Sequence, residues 1–268
     1  MKRLVIGLVA AIVLLVAVDY AAAATAEYQV SSRLRQQLAL PDDPAVKING
    51  FPFLTQALGG DYQRVEVSAD RLTVGQMNNV GVRAQLYHVR LPLGEVLSGT
   101  LRSIHIDDLQ GTVQVTDEDL RRQLRGVTKL KVQPVDPGAL DAALANSKDA
   151  MPGSSVTGIT PDQAVRLVAT TDVLGQKTEV SVIAVLQLAG RQIQISPRDI
   201  RLGSGPAATR LPDTVQASLR RMFTLQIDPG ELPFDVTPTT LRAVDTAIQV
   251  SGVAHNVTVA AGGGTGDS

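Results

Sequence analysis

Residues 64–69 read Arg-Val-Glu-Val-Ser-Ala, and residues 80–86 read Val-Gly-Val-Arg-Ala-Gln-Leu. In the first stretch Val65, Val67 and Ala69 point one way, and Arg64, Glu66 and Ser68 the other. In the second, Val80, Val82, Ala84 and Leu86 oppose Arg83 and Gln85. A period of two with one apolar side is the signature of a half-buried strand. Working outward, Ala45 to Asn49, Thr100 to Ile106 and Gly111 to Val115 read as further strands. Ala164 to Thr171 and Thr178 to Leu188 flank a hairpin connection at Asp172 to Lys177. Gln192 to Ser196, Asp199 to Leu202, Thr239 to Val250 and Val253 to Ala260 complete the set.

Short helices interleave. Gly50-Phe51-Pro52 opens one with Phe53, Leu54, Ala57 and Leu58 on one side, closed by Gly59 and Gly60. Thr116 is a good N-cap, followed by Asp117, Glu118 and Asp119 in a first turn that favours anions. Asp136-Pro137 starts a third helix with Leu140 and Leu144 inward, and Pro212 to Phe223 forms a fourth with Val215, Leu219, Met222 and Phe223 together. Residues 151–160 and 203–206 read as loops. Strands dominate without regular βαβ alternation. The expected fold is α+β, a long curved antiparallel sheet wrapped around helices.

The N-terminus begins with Lys2 and Arg3 and continues as an unbroken apolar run from Leu4 to Val18, ended by Asp19 and Tyr20. Alanines at 21–24 and 26 supply small-residue cleavage positions at Ala24 and Ala26. Residues 1–26 therefore read as a signal peptide or a retained membrane anchor, placing the rest outside the cytoplasmic membrane. Residues 27–260 read as a single α+β domain and 261–268 as a flexible tail.

With 44% hydrophobic residues the chain can bury a sizeable core. A formal charge of −1 and the absence of tryptophan give no footprint for nucleic acid. The absence of cysteine excludes disulfides and thiolate chemistry. His88, His105 and His255 are scattered and form no metal-ligand spacing. Asp107-Asp108 reads as a turn, and Gly203-Ser204-Gly205 lacks the nucleophile-elbow pattern. No catalytic residue, cofactor or metal is assigned.

What remains is apolar surface. Phe51-Pro52-Phe53, Leu91-Pro92-Leu93 and Leu232-Pro233-Phe234 each set a proline between large apolar residues where a strand should end. Phe51, Phe53, Leu54, Leu58, Leu93, Val96, Leu97, Leu219, Phe223 and Phe234 are the candidates for an apolar groove or its mouth. Arginine forks suit phosphate, so Arg121, Arg122, Arg125, Arg220 and Arg221 are the head-group candidates.

The basic start and apolar run, then Ile48-Asn49-Gly50-Phe51-Pro52-Phe53-Leu54-Thr55-Gln56 and Gly60-Asp61-Tyr62-Gln63-Arg64-Val65-Glu66-Val67, resemble the LmeA-like phospholipid-binding family of the actinobacterial cell envelope. Leu91-Pro92-Leu93 with Val96-Leu97-Ser98-Gly99, and Leu232-Pro233-Phe234, fit the same family. The resemblance implies a tubular lipid-binding fold of the bactericidal/permeability-increasing type. It also implies binding or transfer of phospholipids such as phosphatidylinositol, upkeep of lipomannan-type lipoglycans, and no enzymatic activity. The expected partners are a phospholipid, a membrane surface and an envelope protein; the expected location is the periplasm or cell envelope. The alternatives are a non-catalytic envelope scaffold and, third, a hydrolase using Asp107 or His105.

Overall fold

The structure, a computed structural model, describes residues 2–37, 40–74, 77–92, 94–95, 103–146, 159–173, 175–189, 192–205, 208–227 and 237–260. Helix α1 (Lys2–Gln37) leads into β1 (Ala45–Asn49), α2 (Phe53–Gly59), β2 (Asp61–Val74), β3 (Met77–Arg90) and β4 (Ser103–Thr116). Then come α3 (Asp117–Gln123), β5 (Val127–Pro134), α4 (Pro137–Asn146), β6 (Ala164–Val173), β7 (Gln176–Ala189) and β8 (Gln192–Leu202). The chain continues with β9 (Thr209–Arg210), α5 (Asp213–Phe223), β10 (Leu225–Ile227), β11 (Thr237–Val244) and β12 (Ala247–Ala260).

The fold is α+β, with two large antiparallel sheets rather than one. The first has the order β1-β2-β3-β4-β12-β11, the second β10-β8-β7-β6-β5 with β9 on β8. Strands β2, β3, β4 and β12 are each 14 residues long, about 46 Å of extended chain. One end of this sheet, where β2 and β12 meet the turns at Val74 and Ala247, is called the far half below. The other, at Asp61, Arg90 and Ser103, is the near half.

The far half packs on the second sheet. Val80, Val113, Val115, Ile248 and Val250 share one core with Leu130, Leu167, Val182, Ile195 and Ile200 of the second sheet and with Leu120, Leu219 and Phe223 of the helices. Phe223 is fully enclosed. A smaller core under α4 joins Leu140 and Ala143 to Ala164 and Ile183.

Strands β5, β9 and β10 are not anticipated by the sequence reading, which runs the helix after Thr116 on to Val127, and three further strand boundaries differ. Residues 103–116 form one strand, not two. Asp107 and Asp108 lie within it because β3 and β12 supply ladder partners on both sides, Tyr87 and His255 opposite Asp108. Likewise β8 runs through Pro197, which sits at a bulge opposite Ala184. On its other side β10 pairs only with Ile193 to Ile195, so the missing N–H is not needed there. The last hairpin turns at Asp245-Thr246, not near Ser251. Thr246 takes a left-handed φ of 67° and is tied by hydrogen bonds to Val132 and Asp117. The predicted helices after Thr116, Asp136 and Pro212 are all present, and the Thr116 hydroxyl accepts from the Asp119 N–H as a cap should.

Candidate functional site

Helix α1 is continuous from the apolar run into the domain. Asp19, the residue that ends the run, is 95% buried, and its carboxylate accepts from the backbone N–H groups of Phe53 (2.9 Å) and Leu54 (2.8 Å). These are the first residues of α2, whose own N-cap position is Pro52 and gives no side-chain cap. A carboxylate from a distant helix thus does the work of an N-cap, satisfying donors that have no intrahelical partner. Further along α1, Glu27 accepts from the Ile48 N–H, Ser31 donates to the Pro44 carbonyl, and Arg35 pairs with Asp43. The order of these contacts shows α1 running antiparallel to β1. Gly60 closes α2 with φ 67°, and a Cβ there would meet the Pro92 Cα at 2.9 Å, so only glycine fits.

Under α1 and α2 lies the apolar face of the near half. One row crosses five strands in register: Ile48, Val65, Leu86, Leu109 and Ala254. A second row, Tyr62, Val89, Ile106 and Val257, lies beside it. The two rows are three residues apart in each strand, which a regular strand would send to opposite faces. Left-handed φ values at His88 (50°) and Asn256 (53°) mark the break in alternation between them, and both rows share one apolar cluster with Phe53, Ala57, Ala22, Ala23 and Ala26. Much of this face is only half-buried: Ile48, Leu54, Val65, Leu86, Ile104, Val257 and Val259 all keep partial exposure. Between this cluster and the far core runs a row of small residues, Val67, Ala84, Gly111 and Gly252, which belongs to neither.

The structure brings Phe53, Leu54 and Leu58 together on α2, with Phe51 just before it. Phe53 is buried, while Phe51 and Leu58 are 60% and 78% exposed. Phe51 stacks on Tyr20 at 6.1 Å and Phe53 tilts against Tyr62 at the same spacing. Leu219 and Phe223 are elsewhere, sealed in the core between the sheets. Leu93, Val96, Leu97 and Phe234 lie outside the described residues. Arg121 and Arg122 sit in the last turn of α3 and Arg125 just after it, at the far half. Arg121 binds Glu118 at 2.7 Å, and Arg122 approaches Glu118 and Asp119 at 3.6 Å. Arg220 and Arg221 close α5 on the second-sheet side. The head-group candidates are therefore not gathered around the near half.

Asp19 and the two cross-strand rows were missed as site residues in the sequence. The signal for Asp19 was present: a lone carboxylate closing an apolar run, and a later helix whose N-cap position is proline. The rows needed register, which alternation alone does not supply.

Three of the acidic groups on the first sheet have basic partners at the surface: Asp108 with His255 at 2.5 Å, Asp61 with His88 at 3.4 Å, and Asp107 with Arg90 at 2.8 Å. His105 contacts the Thr258 hydroxyl at 3.1 Å. Among the described residues no three His, Cys, Asp or Glu groups converge as a metal site would require. Burial raises the Tyr62 phenol above its ordinary value. A separate cleft of about 470 Å³ lies at the seam between the sheets, but Asp162, Gln163, Gln187, Gln194, Thr239 and Thr240 ring much of it. Ile159, Val185, Leu186, Leu188, Ala189 and Leu241 also line it.

The family description LmeA-like phospholipid-binding matches residues 17–253. The chain belongs to this family. The matched region of the LmeA-like chain starts two residues before Asp19, so the α1–α2 clasp falls inside it, as do both apolar rows except their β12 members Ala254 and Val257. No curated protein and no solved structure matches the chain.

Proposed function

We propose that this member of the LmeA-like family is an exported, membrane-associated protein that lays phospholipid acyl chains against the near half of its first sheet. The observation that carries the reading is the contrast on one sheet face. The far half is closed by the second sheet, whereas in the near half Ile48, Val65, Leu86, Val257 and Val259 stay half-buried around a buried centre of Val89, Ile106 and Leu109, beside a floor of Ala84, Gly111 and Gly252. Each buried methylene contributes about 0.8 kcal/mol, so a tail of about ten methylenes gives about 8 kcal/mol before association costs. Such a site needs no catalytic group. The finer assignments, a phosphatidylinositol-type head group, transfer between membranes and upkeep of lipomannan-type lipoglycans, are drawn from the family resemblance. So is the likeness to tubular lipid-binding folds.

The test is native mass spectrometry of the full chain extracted from membranes in mild detergent. Phospholipid should travel with the protein, and phosphatidylinositol added from vesicles should exchange into it. Ala84→Phe, which fills the floor, should fold by circular dichroism yet lose most of that uptake. Bare protein that takes up no added lipid, or unchanged uptake in Ala84→Phe, would count against the reading.

A further inference from the structure

We propose that the N-terminal helix is kept in the mature protein, and that it draws the α2 end of the domain into the membrane interface. The inference rests on the exported, lipid-binding reading above, but it concerns how the domain meets the bilayer. Cutting after Ala24 or Ala26 would remove Asp19 together with Ala22 and Ala23. The Phe53 and Leu54 N–H groups would lose their acceptor, one of them at a buried residue, and the cluster around Phe53 would lose part of its cover. A segment built so firmly into the fold is a poor candidate for a disposable leader.

The length of the free part then sets the depth. From Lys2 to Val18 the helix rises about 25 Å, and its apolar side chains are exposed. The hydrocarbon core of a bilayer is about 30 Å thick. The shortfall is relieved by pulling the flanking surface inward. That surface is apolar where α1 enters the domain: Tyr20 is 64% exposed and stacks on Phe51, and α2 adds Leu58. Aromatic rings at this level are the usual interfacial anchors. Because α1 runs antiparallel to β1, the Phe51 turn and the near end of the first sheet face the membrane and the far half points away. The half-buried apolar face thus begins at the depth of the lipid head groups, and its ligand is taken from the bilayer the helix occupies.

The chain has no cysteine, so single probes are clean. Full-length Phe51→Cys and Asp245→Cys, the second at the far-half turn, are labelled with an environment-sensitive fluorophore. They are then reconstituted in phosphatidylglycerol/phosphatidylethanolamine vesicles carrying a lipid-borne quencher. The intact mass of protein purified from membranes should include residues 2–24, and the probe at 51 should be blue-shifted and quenched several-fold more than that at 245. A mature chain starting at Thr25 or later, or equal water exposure at both positions, would overturn the proposal. Neither readout depends on lipid held inside the protein, so failure of the binding reading would be seen separately.

Discussion

The two halves of the first sheet are written in the same alternating pattern and end in different environments. In the far half Val80, Val115 and Ile248 are enclosed because the chain returns with a second sheet to cover them. In the near half Val65, Leu86, Val257 and Val259 stay half-buried at the edge of the cluster that α1 and α2 join, although Val89, Ile106 and Leu109 at its centre are buried. The pattern of a strand therefore says which face is apolar, not what covers it. On the proposed reading, the cover of the near half is what a lipid would supply.

Truncations should measure that difference directly. Phe223→Ala empties an enclosed site in the far core and should cost about 3–5 kcal/mol in chemical denaturation. Asp19→Ala removes the acceptor of two N–H groups, one of them at a buried residue, and should cost about 2–3 kcal/mol, with loss of hydrogen-exchange protection concentrated at Phe53 and Leu54. Leu86→Ala, on the half-buried face, should cost only about 1–2 kcal/mol, since less area leaves water there to begin with. It should lower phosphatidylinositol uptake while Phe223→Ala, at temperatures where it stays folded, does not. Equal stability losses at Leu86 and Phe223 would erase the distinction between the halves.

A smaller effect should appear in alkali. Burial holds the Tyr62 phenol above its ordinary value of about 10. The unfolded chain therefore gives up this proton at lower pH than the folded one. Its contribution to stability is fully present below about pH 10 and is lost as pH rises through the higher folded value. Tyr62→Phe should remove that component of alkaline unfolding while leaving neutral stability within about 1 kcal/mol, provided the Phe53 contact is kept.

Much of this architecture was legible in the residues. The alternation at Val65–Ala69 and Val80–Leu86, the Thr116 cap and the Gly59-Gly60 stop all correspond to observed elements. Boundaries failed where a local signal competed with a ladder. Asp107-Asp108 and Pro197 look like breaks, yet neighbours on both sides or a bulge carry the strand through. Sites were harder. The α2 residues were chosen from their apolar spacing, and the structure places them beside α1 and the near half. Leu219 and Phe223 show the same spacing and are core, because helical amphipathicity cannot distinguish a ligand from a second sheet. For Asp19 the sequence marked a lone carboxylate but did not join it to its partners, which lie 34 and 35 residues away.

Arginine clusters illustrate the same ambiguity and give the smallest expected effect. Arg121 was chosen for its fork, but in the fold its guanidinium is held by Glu118, one turn earlier on the same short helix. The hydrogen bond and charge of Arg121 keep the Glu118 carboxyl below its ordinary range, with Arg122 adding to it. A depressed carboxylate contributes stability above its ordinary value and loses it as pH falls, but this pair is open to solvent and its attraction is screened. In Arg121→Gln, NMR titration should find Glu118 moved back up toward the usual carboxylate value, while the denaturation midpoint and phosphatidylinositol uptake stay unchanged. A clear loss of uptake would instead draw the head group to the far half, and the lipid would then have to span the row at Ala84 and Gly111 rather than remain beside α2.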